Sequence, residues 1–78
     1  MEMPSRDLEL FRRNLRTLSR RRQQDVADDA GVSRPYLNRV VNGHVNPSID
    51  VASALAGAVG VSLAVMMSTE INEKSPAA

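Results

Sequence analysis

An all-α chain, a compact bundle of about five short helices, is what the sequence predicts, and three observations carry that expectation. Apolar residues recur at spacings of three and four, the period of one helical face. Serines stand at 33, 48 and 62, just ahead of apolar stretches, where a hydroxyl accepts the free N–H groups of a first turn. Glycines at 31 and 60 fall where such stretches end. From Gln23 to Gly43 these signals describe two short helices joined by a sharp turn, and this stretch alone specifies a function.

Met1 to Ser5 carry no structural instruction and are expected to be loose. The first helix starts near Ser5 or Arg6 and runs to about Ser19, with Leu8, Phe11, Leu15 and Leu18 as its inward stripe. Asp7 and Glu9 in its first turn and arginines toward its end suit the helix dipole. Arg20-Arg21-Arg22 then connects to a second helix, Gln24 to Ala30, with Val26, Ala27 and Ala30 on one face. Ala27 is small where a crossing helix must come close. Gly31 can take the left-handed conformation that ends a helix, Val32 dips inward, and Ser33 caps the third helix. Pro35 marks a beginning, because the N–H that it lacks would have no intrahelical partner there. Leu37, Val40 and Val41 form the buried face of this helix, which ends at Asn42-Gly43.

A loop from His44 to Pro47 leads to Ser48, the cap of a fourth helix with Asp50 in its first turn. Its stripe is Ile49, Ala52, Leu55, Ala56 and Val59, and Gly60 stops it. Gly57 costs about 1 kcal/mol relative to alanine inside a helix, a cost read as serving close packing. Ser62 caps a short fifth helix, with Val61 and Met66 placed for a hydrophobic staple. From about Ser68 the polar tail is expected to be frayed or disordered, so the folded domain is placed at 6–67.

Seventy-eight residues make one small domain, and with Phe11 and Tyr36 as its aromatics the core must be built of Leu, Val, Ile, Ala and Met. The absence of cysteine excludes disulfides and thiolate metal sites. No apolar run reaches membrane-spanning length and no signal-peptide core opens the chain, so a cytoplasmic location is expected. No nucleophile and base pair, metal cluster or phosphate loop is present, which disfavours an enzyme, and no cofactor or metal is implied. Asp25, Asp28 and Asp29 lack a second ligand cluster and read as a solvated face. His44, the sole histidine, is an exposed loop residue or a weak phosphate donor.

The net charge of +1 is unevenly spread. Residues 12 to 39 hold eight arginines against three aspartates, which is +5, and the segments on either side come to −2 each. Positive charge is thus centred on the paired helices, as contact with a polyanion requires. The outward face of the third helix carries Arg34, Pro35, Asn38, Arg39 and Asn42, hydrogen-bonding groups without a carboxylate. Such a face suits nucleic acid. Arg34 is best placed to hold guanine with a bidentate fork, Asn38 to reach a neighbouring adenine, and Arg39 a base or a phosphate. Arg20, Arg21 and Arg22 make a phosphate clamp at a helix N-terminus, where Gln23 also sits. Tyr36 is expected at the helix edge with its hydroxyl near a phosphate.

Gln23 and Ala27, Gly31-Val32-Ser33-Arg34, Tyr36, Arg39, Asn42-Gly43, Asn46-Pro47-Ser48 and Gly60-Val61-Ser62-Leu63 together resemble the helix-turn-helix domain of the lambdoid phage repressor and Cro (XRE) family. At this spacing the signal is specific. The resemblance implies that Gln23, Ser33 and Asn42 bind backbone phosphate. It also implies pairing of two copies through the C-terminal end. Two departures stand out. Arg21 and Arg22 replace a usual leucine and small hydroxyl cap, so that corner should be less firmly packed. Val41 stands where many relatives have a glutamate paired with the arginine at position 16, so that ion pair should be missing.

Three functions compete. The leading one is a sequence-specific double-stranded DNA-binding transcriptional regulator, in the repressor sense, reading the major groove with the helix from Ser33 to Asn42. The second is an antitoxin-type autoregulator that also binds a partner protein through its C-terminal end. The third is a protein-interaction module of the same fold with an idle third helix, against which the arginine distribution argues. The working species is expected to be a homodimer on a palindromic operator, because one such helix reads too few base pairs. Leu63, Val65, Met66, Met67 and Ile71 offer apolar surface for it, with Val65 and Met67 as the interface and Met66 turned inward.

Overall fold

In a computed structural model that describes residues 5–71, the apolar stripes close on one another through five helices. These are α1 (Ser5–Ser19), α2 (Gln23–Ala30), α3 (Arg34–Val41), α4 (Ile49–Ala58) and α5 (Leu63–Ser68). No strand occurs among the described residues. Residues 1–4 of the expected loose start and 72–78 of the expected disordered tail lie outside the described residues.

Phe11, Leu15, Val26, Ala27, Leu37, Val40, Ala52, Leu55 and Met66 are sealed from solvent, with Leu8, Val41 and Ala56 nearly so. Leu18, Ala30, Val32 and Val61 are half-buried against this core. α2 packs most extensively on α4 and α1 on α5. Three alanines at 27, 52 and 56, all buried, permit the close approach of α2 and α4. Each serine expected as a cap acts as one, the hydroxyls of Ser33, Ser48 and Ser62 accepting the N–H groups of Tyr36, Val51 and Val65. Gly31 ends α2 at φ 75°, a left-handed conformation that lets Val32 N–H return to the Ala27 carbonyl at 3.0 Å.

Gly57 corrects an expectation. A Cβ built there would meet nothing within 4 Å, so no close packing depends on this glycine. A second difference concerns the segment after α5. Asn14, only 1% exposed on α1, donates from Nδ2 to the Met66 and Thr69 carbonyls, both at 2.8 Å, and its Oδ1 accepts the Ile71 N–H at 2.8 Å. One amide thereby holds residues 66 to 71 against α1, so the chain just past Ser68 is fastened, with an exposed Arg13–Glu70 ion pair of 3.5 Å beside it. A polar residue inside the stripe of Leu8, Phe11 and Leu15 is the signal for such a group.

Asn14→Ala removes three bonds at once and leaves two carbonyls without a donor, so stability is expected to fall by about 3 kcal/mol. Urea unfolding followed by circular dichroism measures this. A decrease below about 1 kcal/mol would mean that the strap contributes little to the fold.

Candidate nucleic-acid interface

The burial of Leu37, Val40 and Val41 decides which side of α3 faces outward. Arg34, Pro35, Arg39 and Asn42 are exposed or partly so and Asn38 is half-buried, so the expected polar face is formed, and no carboxylate interrupts it. Tyr36 is half-buried against the core at the edge of this face. Ser33 is exposed, and its hydroxyl oxygen accepts the Tyr36 N–H at 3.1 Å while its own proton stays free to donate. His44 N–H donates to the Arg39 carbonyl at 2.8 Å and closes the C-terminal end of α3, and the residue itself is exposed.

Arg34 leans toward α2. Its Nη2 donates to Gln23 Oε1 at 3.3 Å, joining the first residue of α3 to the first of α2. Beside this bond Arg20, Arg21, Arg22, Gln24 and Asp25 complete an open cleft of about 260 Å³. Arg20, Arg21 and Arg22 are all exposed. Arg22 occupies the N-cap position of α2, but its side chain makes no capping hydrogen bond. The departure from a hydroxyl cap thus leaves first-turn N–H groups without a side-chain acceptor, below a cluster of guanidinium groups. Chemically this is a place for an anion.

At the other end of α3, arginines of α1 form bonds that the sequence alone did not reveal. Arg12 Nε donates to the Val40 carbonyl at 2.9 Å and its Nη2 to Asn46 Oδ1 at 3.2 Å. Arg16 Nη2 donates to the Val41 carbonyl at 3.3 Å and to Asn42 Oδ1 at 3.4 Å. With valine at 41, Arg16 thus meets backbone and amide oxygens in place of a carboxylate. The i, i+4 spacing of Arg12 and Arg16 was the available signal.

The aspartates at 25, 28 and 29 stand at the surface, and Gln24 Nε2 donates to Asp28 Oδ1 at 3.0 Å. Among the described residues no cluster of three or more His, Cys, Asp and Glu could hold a metal ion, and no helix is long and apolar enough to cross a membrane. On α5, Met66 is buried, Met67 is half-buried on the core and Val65 is 39% exposed. Leu63 and Ile71 are also half-buried against the core, so the apolar surface left at this end is smaller than the composition suggested.

Two helices meeting at a glycine turn, the second with a polar face turned to solvent, form the helix-turn-helix unit of DNA-binding domains. The Helix-turn-helix family model matches residues 13–66, and the chain belongs to that family, a class of DNA-binding transcription regulators. Among solved structures it is similar to the restriction-modification controller protein C.AhdI of Aeromonas hydrophila, with 28% identity, 77% of this chain and 96% of that one covered, and a TM-score of 0.67. A repressor from a Salmonella temperate phage shares 26% identity over 76% of this chain and 61% of its own, with a TM-score of 0.68. The controller protein C.Esp1396I, seen as a tetramer in complex with its natural 35-base-pair operator, has the same fold at 18% identity and a TM-score of 0.62, with 78% and 80% of the two chains covered. No curated protein matches the chain in sequence.

Proposed function

We propose that the protein is a sequence-specific regulator, a repressor of transcription, that inserts α3 into the major groove of a palindromic operator. The observation that carries this is the Arg34–Gln23 hydrogen bond, because it joins a face able to read bases to a cleft able to hold a phosphate. In this arrangement the N-terminus of α2, with Arg20, Arg21, Arg22 and Gln23, grips the backbone of one strand. Ser33, Tyr36 and Asn42 add further bonds to phosphate. Arg34 then takes guanine O6 and N7, Asn38 an adjacent adenine, and Arg39 a further base or a phosphate. An oligomeric working species is supported by the relative C.Esp1396I, which meets its operator as a tetramer.

Selection of bound sites from a random DNA library tests this reading, with an inverted repeat as the expected product. A pool that fails to converge would oppose sequence-specific recognition. The clamp has its own signature. Changing Arg20, Arg21 and Arg22 together to glutamine should weaken operator and random duplex alike, because bonds to phosphate carry no sequence information directly. The slope of log affinity against log salt should become shallower by about 0.9 for each phosphate that the protein no longer neutralises. An unchanged slope would place the cluster away from DNA.

A further inference from the structure

We infer that Asn42-Gly43, at the C-terminal end of α3, is a self-modification site where the Asn42 amide converts to a carboxylate, and that the conversion weakens DNA binding. Only the loss of binding rests on the DNA-binding reading above. The conversion is the chain's own chemistry with water. The Gly43 nitrogen gives up its proton and bonds to Asn42 Cγ, the Cγ–Nδ2 bond breaks, and Nδ2 leaves as ammonia. A five-membered imide results. Water then opens it at either carbonyl, giving aspartate on the original backbone or isoaspartate, in which the chain runs on through the side chain. One water is consumed, one ammonia is released, and a negative charge is gained.

The structure singles out this asparagine among the four described ones. Asn14 is 1% exposed and bonded at both amide atoms. Asn38 is half-buried inside α3, and the arginine that follows it has a side chain that shields the attacking nitrogen. Asn46 precedes Pro47, which has no N–H to give. Asn42 is exposed and ends α3, and Gly43 beyond it is exposed and has no side chain to hinder approach. The fold itself favours glycine there, because the turn holds this residue at φ 81°. The N–H groups of Asn42, Gly43 and His44 close this end of α3 on the Asn38, Val40 and Arg39 carbonyls at 2.9, 3.2 and 2.8 Å. Gly43 makes the longest of the three bonds, so its nitrogen is freed when the helix end frays, the opening that costs a helix least.

Arg16 adds a chemical bias. Its Nη2 donates to Asn42 Oδ1 at 3.4 Å, which places a positive charge beside the oxygen that becomes negative as the ring closes. The same guanidinium then faces the carboxylate produced. For DNA the exchange is unfavourable, because a carboxylate cannot donate to a phosphate as the amide does and repels it.

The test ages the purified protein at neutral pH and reads each sample twice: mass spectrometry of its fragments locates the amide loss, and titration gives the affinity for a random-sequence duplex at low salt. Acid should accumulate at position 42, as aspartate and isoaspartate together, while Asn14, Asn38 and Asn46 stay amides. Affinity should fall in step, by about tenfold or more in the fully converted protein, as one charge-assisted bond to phosphate implies. N42D should show that loss without ageing, and N42Q, whose longer side chain must close a six-membered ring, should hold its affinity as it ages. Should either variant fail to fold, the two records on the unmodified protein decide. No conversion at Asn42, or conversion spread evenly over the four asparagines, overturns the site. Conversion that leaves affinity unchanged overturns its effect on DNA. If the freshly prepared protein binds no duplex, the DNA-binding reading fails and the loss of binding falls with it, while the mass record still decides the conversion.

Discussion

Arg34→Ala is expected to relax base preference at one position in each half-site of the operator, with little change in affinity for random duplex. The interaction removed is a bidentate fork on guanine, worth about 1 to 3 kcal/mol per site, so a dimer without both forks gives up about 2 to 6 kcal/mol of discrimination. The fold should not suffer, because Arg34 is exposed and its hydrogen bond to Gln23 lies at the surface. That bond adds a graded control. Gln23→Ala leaves the guanidinium in place but frees it to swing, so it should blur the same base position less than Arg34→Ala does. Binding to a panel of operators, each with one base pair changed, measures both variants. A uniform weakening over the panel in Arg34→Ala would falsify the base-reading role and make Arg34 a phosphate anchor beside Arg20 to Arg22, whereas Gln23→Ala adds a uniform loss from its own phosphate contact.

Local signals made the helices legible. Ser33, Ser48 and Ser62 reach only three residues ahead for their N–H partners, and Gly31 closes α2 on atoms of its own last turn, so a short window of sequence contains each interaction whole. The polar face of α3 was legible for a similar reason, since three apolar residues at helical spacing decide which side is buried. What escaped depended on distant partners. Arg12 bonds to residues 28 and 34 positions away, and Asn14 to residues 52 to 57 positions away. Nothing in the local pattern says where a polar side chain on α1 will find acceptors that only the folded bundle brings near. Met67 shows the same limit from the apolar side, because helical position alone did not distinguish a residue leaning on the core from one left exposed.

Val65→Glu is expected to break the dimer that we propose and to lower operator affinity by about a thousandfold or more, the margin that separates specific from non-specific binding. Val65 is the one large exposed hydrophobic residue among the described residues, at 39%. A charge there costs the monomer little, whereas at a self-complementary interface it is buried against its own symmetry mate. Met67, also proposed for the interface, is half-buried on the core, so a charge at that position would confound association with folding. A symmetric pair reads a palindrome when its two α3 helices lie about 34 Å apart, one turn of DNA. Sedimentation should therefore show a dimer for the unmodified protein and a monomer of unchanged helix content for Val65→Glu. A monomer at tens of micromolar in the unmodified protein, together with non-cooperative binding to DNA, would assign the exposed Val65 surface to a different protein partner.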